Sequence, residues 1–207
     1  MRNYIMGLRP QRLPFRRFTQ RSAVAIITRQ GTHGEEILFI KRATRPGDPW
    51  SGDIAFPGGK QQQNDNSIRD TAIRETKEEI NIDLAQQGIF ISRQIDVLTR
   101  RHNKLAPMVV TPYHYQLNSS SATNNDASHP ALNIRLNHEV AEVIWVPTTH
   151  FHIAKNTHHF RWTPAPHSIA SRLSISLPCY YYDNHRVWGL TYQMLRDFIT
   201  HREINNA

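Results

Sequence analysis

Phe56-Pro57-Gly58-Gly59-Lys60 and, after a polar spacer, Arg74-Glu75-Thr76-Lys77-Glu78-Glu79 are the residues on which the reading of this chain turns. Pro57 and the glycine pair mark a turn, whereas the second segment continues a helical pattern. Glu75, Glu78 and Glu79 stand at i, i+3 and i+4. At about 100° of rotation per residue their side chains share one side of a helix. Like charges so spaced repel each other. A hard divalent cation bound through oxygen offsets that repulsion, so the pattern points to a metal-binding carboxylate set.

The helix itself is expected from Asn66 or Ser67 to Ile80, with Ser67 as N-cap and Asp70 in the first turn. Ile68, Ala72, Ile73, Thr76 and Ile80 line its apolar side, with the three glutamates on the border of that side. Asn81 suits the left-handed conformation that ends many helices. Upstream, Ala23–Thr28 and Ile37–Ile40 are β-prone runs separated by Gly31 and Gly34, which predicts a hairpin. Pro46-Gly47-Asp48-Pro49 forces a loop before a short run at Asp53–Phe56. Downstream, Ile89–Leu98, Met108–Leu117 and Val140–Val146 read as strands, and His158–Trp162 with Leu173–Tyr182 as a second hairpin-like region. Asn118–Pro130 has no periodicity and reads as a loop. Leu190–Ile204 carries Leu190, Met194, Leu195, Phe198 and Ile199 at helical spacing, with Met194 read as core.

At 207 residues the chain fits one ordinary domain, expected over 22–207 behind a basic arm at 1–21. No apolar run approaches the roughly 20 residues that span a bilayer, so no membrane partner is expected. The net charge of +8 is unevenly placed, with Arg2, Arg9, Arg12, Arg16, Arg17 and Arg21 all preceding the first acidic residue, Glu35. A solvated basic tail is the favoured reading of this arm over contact with nucleic acid. Cys179 is the sole cysteine, which excludes an internal disulfide and reads as a structural residue in a reducing compartment. A cytoplasmic location is expected, although an Arg-rich start is also compatible with organelle import.

The order of turn and acidic helix resembles the Nudix hydrolase family over Arg42–Ile82. The family box is Gly-x5-Glu-x7-Arg-Glu-U-x-Glu-Glu-x-Gly-U, where U is a bulky aliphatic residue. Arg74, Glu75, Glu78, Glu79 and Ile82 match it. Thr76 takes the first aliphatic slot, Asn81 replaces the glycine, and Asp65 stands in for the first glutamate. Arg74 then falls one residue late. Leu38-Phe39-Ile40-Lys41-Arg42-Ala43 and Gly52-x3-Phe56-Pro57-Gly58-Gly59 are similar to the signature of the coenzyme A pyrophosphatase branch, with Arg45 near its second arginine but out of register.

The resemblance implies an α/β fold, a Nudix-type α/β/α sandwich with a mixed β-sheet. It also implies hydrolysis of a diphosphate linkage in a nucleotide derivative with Mg2+ or Mn2+, the substrate being coenzyme A or an acyl-CoA. Glu75, Glu78, Glu79 and the Gly58 carbonyl are the implied metal ligands, and Arg74 the residue that holds the glutamates. Glu75 is also a candidate to orient or deprotonate the water. Glu139 and Glu142 are candidates for a late base, Glu139 foremost. Arg42, Arg45 and Gly59, with Arg100 or Arg101, are the implied substrate contacts.

ADP-ribose, NADH, a dinucleoside polyphosphate or capped RNA are the alternative substrates. A nucleotide-binding module without catalysis is the alternative of another class, against which the intact glutamates argue. The partner is thus a small nucleotide diphosphate, with the oligomeric state open and a homodimer among the options. Trp50, Trp162 and Tyr180–Tyr182 read as core residues or base-stacking rings. His150, His152, His158 and His159 lack metal-motif spacing, so no zinc site is expected.

Overall fold

The computed structural model describes residues 19–32, 34–46, 50–100, 107–118, 132–152, 156–163 and 174–206. Most of the basic arm, Arg101 and the segment 119–130 lie outside the described residues, as does the side chain of Arg100. The elements, in chain order, are β1 (Gln20–Gly31), β2 (Gly34–Arg42), β3 (Ile54–Ala55), β4 (Gly58–Lys60), α1 (Ile68–Ile80), α2 (Leu84–Gln87), β5 (Gly88–Arg93), β6 (Val97–Arg100), β7 (Pro107–Leu117), β8 (Val140–Pro147), α3 (Thr149–His152), β9 (Thr157–Trp162), β10 (Ile175–Tyr182), β11 (His185–Trp188) and α4 (Gly189–Asn206).

β1 is the axis of a mixed sheet with strand order β3-β2-β1-β7-β5. It pairs antiparallel with β2, Gly31 facing Gly34, and parallel with β7. β4 also pairs with β1, β6 with β7, and β8 with β2. The strand is apolar on both sides because both faces are covered. Ala23, Ala25 and Ile27 join Ile68, Ala72 and Ile80 of α1 on one face. Val24 and Ile26 join Met194, Leu195, Phe198 and Ile199 of α4 on the other. This is the expected α/β/α layering around a mixed sheet. Arg202 near the end of α4 is tied to Glu35 of β2, its Nη2 donating to Oε1 at 3.1 Å.

Local chemistry sets the ends of α1. Ser67 Oγ accepts the Asp70 N–H at 3.2 Å, while Asn81 adopts φ 61° and its N–H donates to the Lys77 carbonyl at 3.0 Å. Asn81 therefore does the work of a C-terminal glycine. Its side chain adds a bond that glycine lacks, Nδ2 donating to the Asn133 carbonyl at 2.8 Å. Thr76 is tolerated in an aliphatic slot because its buried Oγ1 donates to the Ala72 carbonyl at 2.7 Å.

Three features differ from the sequence expectations. The strand expected over Ile89–Leu98 is broken into β5 and β6, since Asp96 turns inward to accept from Thr111 Oγ1 at 2.7 Å and from Arg93. The second hairpin region gains a third strand, β11, after a turn in which Asp183 takes φ 49°. The short helices α2 and α3 also went unforeseen. Asp83 caps α2, its Oδ1 accepting the Ala85 N–H at 3.1 Å. Cys179 is buried in β10, as expected of a structural thiol.

His114 of β7 is buried under Phe198, with its Nε2 3.0 Å from Thr28 Oγ1. Burial, with Arg202 nearby, depresses its pKa from 6.5 to about 4. The neutral ring is favoured by the fold, so the stability it contributes is present above about 6.5 and lost as pH falls through about 4. Thermal melts of His114→Gln should lack this part of the acid destabilisation. A variant that follows the wild-type profile between pH 7 and 4 would contradict the assignment.

Candidate active site

The Gly-Gly turn and the acidic helix meet through backbone as much as through side chains. Ala25 N–H donates to the Pro57 carbonyl at 2.8 Å, and Ser22 Oγ donates to the Gly59 carbonyl at 2.5 Å, so β1 fixes the turn. Gly58 has φ 152°, and a Cβ there would lie 2.3 Å from the Ala23 carbonyl oxygen. Its N–H donates to Glu79 Oε2 at 2.9 Å. At Gly59 a Cβ would lie 2.5 Å from the Glu75 carboxyl carbon, so only glycine admits the turn this close to the helix.

Glu79 sits deeper than the sequence suggests. It was expected on the border of the apolar side, yet it is 3% exposed, because the bare glycine turn closes over it. Burial raises its pKa from 4.5 to about 8. The Gly58 N–H and Arg42 oppose the shift, and the negative charges of Glu75 and Glu139 add to it. Burial also raises the pKa of Glu75, against the pull of Arg74.

Arg74 organises the remaining carboxylates. Its Nη1 donates to Glu75 Oε1 and to Glu78 Oε2, each at 3.0 Å. Nε donates to Asp65 Oδ1 at 2.9 Å, and Nη2 to Asp65 Oδ2 and the Lys60 carbonyl, each at 3.1 Å. The bidentate arginine holds Asp65 well below the usual carboxylate range. Asp65 also accepts from Thr71 Oγ1 at 2.8 Å and from the Gln62 N–H at 2.9 Å. Asp65 is thus committed to Arg74 and the start of α1.

The late glutamates separate. Glu139 lies in the turn before β8, close enough to Glu75 and Glu79 to raise the pKa of both. Arg45 Nη1 donates to Glu139 Oε1 at 3.2 Å and Nη2 to the His138 carbonyl at 3.0 Å. Glu142 instead faces Lys41 at 4.0 Å and His185 at 3.6 Å.

A cleft of about 410 Å3 opens beside Glu79, Gly58 and Gly59. Arg42, Lys60 and Trp50 border it, and Asp53, Met108, Trp188, Leu190, Thr191 and Met194 continue its wall. Arg45 and Glu139 do not line it. Trp188 and the start of α4 were missed as site residues. Their signal was aromatic and apolar character alone, and only the pairing of β11 with β10 brings them here. Trp162 stands behind Trp188, with ring centroids 6.5 Å apart, and Tyr180 is core.

The NUDIX domain model matches residues 19–166. This chain belongs to the Nudix family. The chain is 27% identical over 155 residues to the mouse (Mus musculus) mitochondrial coenzyme A diphosphatase NUDT8, covering 75% of this chain and 65% of that protein. To the human (Homo sapiens) protein of the same name it is 28% identical over 165 residues, covering 75% of this chain and 58% of that one. It therefore spans less than two thirds of the length of these relatives. Among solved structures, a MutT/nudix family protein from Enterococcus faecalis shares the fold, with TM-score 0.50 and 15% identity over 90% of this chain and 62% of that one. The Nudix match ends before β10, β11 and α4, so the far wall of the cleft lies outside it.

Nudix hydrolases use divalent metals, and the donors here suit one. The carboxylate oxygens of Glu75, Glu78 and Glu79 are hard ligands, and the buried Glu79, which burial holds in its protonated form up to about pH 8, becomes a favourable anion once a cation supplies the counter-charge. Among the described residues no three acidic, histidine or cysteine side chains converge as a closed cage. The reason is visible: Glu75 and Glu78 turn toward Arg74, so a cation must compete with the guanidinium for their oxygens.

Without metal, the raised pKa of Glu79 makes its stability contribution fullest below about 4.5 and lost as pH rises through about 8. Glu79→Gln keeps an acceptor for the Gly58 N–H and removes the charge. The metal-free variant should melt a few degrees higher than wild type at pH 8.5 and at nearly the same temperature at pH 5. Equal melting temperatures at pH 8.5 would disprove the buried charge.

Proposed function

We propose that this protein is a divalent-metal-dependent diphosphohydrolase that cleaves coenzyme A or its thioesters to 3′,5′-ADP and a phosphopantetheine product. The observation that carries the reading is the buried Glu79 carboxylate under the Gly58 N–H, beside Glu75 and at the end of a cleft wide enough for a nucleotide derivative. The printed names of the two mammalian relatives favour coenzyme A over other nucleotide diphosphates.

Glu75, Glu78, Glu79 and the Gly58 carbonyl would hold Mg2+ or Mn2+. When bound, the metal neutralises diphosphate oxygens and lowers the pKa of an attacking water. Glu79 supplies its charge from a dry site, where electrostatic attraction is least screened. Arg74 restrains Glu75 and Glu78 by fixed hydrogen bonds and so limits the motions of both. Glu139, held by Arg45 outside the cleft lining but near enough to Glu75 and Glu79 to act on their charge, is the proposed late base. Arg42 and Lys60 bring positive charge to the diphosphate. Gly59 keeps the Glu75 carboxylate against the turn. The protein is proposed to fold as one domain over 22–207, which Gln20 and Arg21 join as the start of β1, and to act in the cytoplasm.

A substrate panel tests the reading. With Mg2+ or Mn2+, coenzyme A should yield 3′,5′-ADP faster than ADP-ribose, NADH or dinucleoside polyphosphates yield their products. No cleavage of coenzyme A where another of these is turned over would refute the substrate. No turnover of any of them would leave the nucleotide-binding alternative.

Glu79→Gln should lower kcat on the order of a thousandfold while the fold is retained. Gly59→Ala should also lower kcat, by pushing the Glu75 carboxylate off the turn. Wild-type rates in either variant would remove those residues from the site.

A further inference from the structure

The cleft runs from the reacting end at Glu79, Gly58 and Gly59 to a wall made by β11 and the first turns of α4. That wall carries polar groups, but they are spent within the protein. Trp188 Nε1 donates to Asp53 Oδ1 at 2.9 Å, and Thr191 Oγ1 donates to the Ile54 carbonyl at 3.0 Å. These two bonds lock the wall to β3, the strand just before the Gly-Gly turn. The lining includes the indoles of Trp50 and Trp188, the thioethers of Met108 and Met194, and the aliphatic side chains of Val110 and Leu190.

A nucleobase has ring nitrogens and exocyclic groups that need partners once removed from water. A wall whose donors already serve Asp53 and Ile54 replaces those bonds poorly. The two amides and the hydroxyl of a pantetheine arm make a similar demand, whereas the acyl chain of a thioester makes none, and thioether side chains adapt to chains of different length. Thr99, also in the lining, adds a hydroxyl suited to an amide.

We infer that the surface formed by Trp188, Leu190 and Met194, with Met108 and Trp50, is a subsite for the acyl chain of a coenzyme A thioester. This rests on the coenzyme A reading above and adds to it which half of the molecule enters the cleft and why an acyl extension is favoured. Trp188, Leu190 and Met194 lie beyond the residues matched by the Nudix model, while Trp50 and Met108 lie within them.

Binding measured by calorimetry without divalent metal, so that nothing is hydrolysed, tests the assignment. Octanoyl-coenzyme A should bind at least about tenfold more tightly than coenzyme A, because methylene groups leave water. Leu190→Asn should abolish that gain and leave the affinity for 3′,5′-ADP unchanged. Leu190→Met should keep it, and melting curves of both variants report that the fold is intact. Trp188→Phe, which removes the bond to Asp53, should reduce the gain in the same direction.

Two results overturn the inference alone, and a third overturns it together with the coenzyme A reading. The first is cleavage of coenzyme A with no gain in affinity from the acyl chain, and the second is weaker binding of 3′,5′-ADP by Leu190→Asn, which would put the base in the cleft; either outcome leaves the diphosphatase reading standing. If no coenzyme A derivative binds while another nucleotide diphosphate is hydrolysed, the subsite and the coenzyme A reading fall together.

Discussion

Burial of one carboxylate under a glycine turn is the constraint around which this structure is arranged. Glu79 is taken from water on the inner side of α1 and given the N–H of Gly58. An anion with so little compensation is costly there, and the carboxyl group answers by holding its proton up to about pH 8. The turn can close over it only as glycine, since a Cβ would strike the Ala23 carbonyl at one position and the Glu75 carboxyl at the next. β1 grips the turn at Ala25 and Ser22, and Arg42 brings positive charge to this end of the sheet. The energy stored in the deprotonated site is available to a cation, whose binding relieves it.

Arg74 answers the complementary problem. Three carboxylates on one helix side, with Asp65 nearby, would splay apart without a central cation. The guanidinium binds Asp65 through two nitrogens and Glu75 and Glu78 through a third, in a planar geometry that lysine cannot reproduce. The extra residue between Asp65 and Arg74 is accommodated because Asp65 serves the arginine and Thr71.

The acidic helix, its caps and the hairpin before it were legible because each depends on neighbours in the chain. Ser67, Asn81, Gly31 and Gly34 carry local signals, and the structure places each where those signals indicate. The depth of Glu79 was not legible, since it depends on a turn 21 residues away closing over the helix. Trp188 and Thr191 were silent for the same reason: their partners, Asp53 and Ile54, lie 135 and 137 residues distant. The break between β5 and β6 has a local sequence but a remote cause, the hydroxyl of Thr111.

The parallel pairing of β1 with β7 sets the order in which this protein can be assembled. Ser22 lies opposite Val110, and Ala25 opposite Tyr113, so the strand that grips the catalytic turn is completed by residues nearly 90 positions later. Loop closure over that distance is entropically expensive and is repaid only when the sheet forms. The acidic edge of α1 has no fixed turn to meet until β1 is seated. The site is therefore complete only once β1 and β7 have paired, however the carboxylate helix itself is reached.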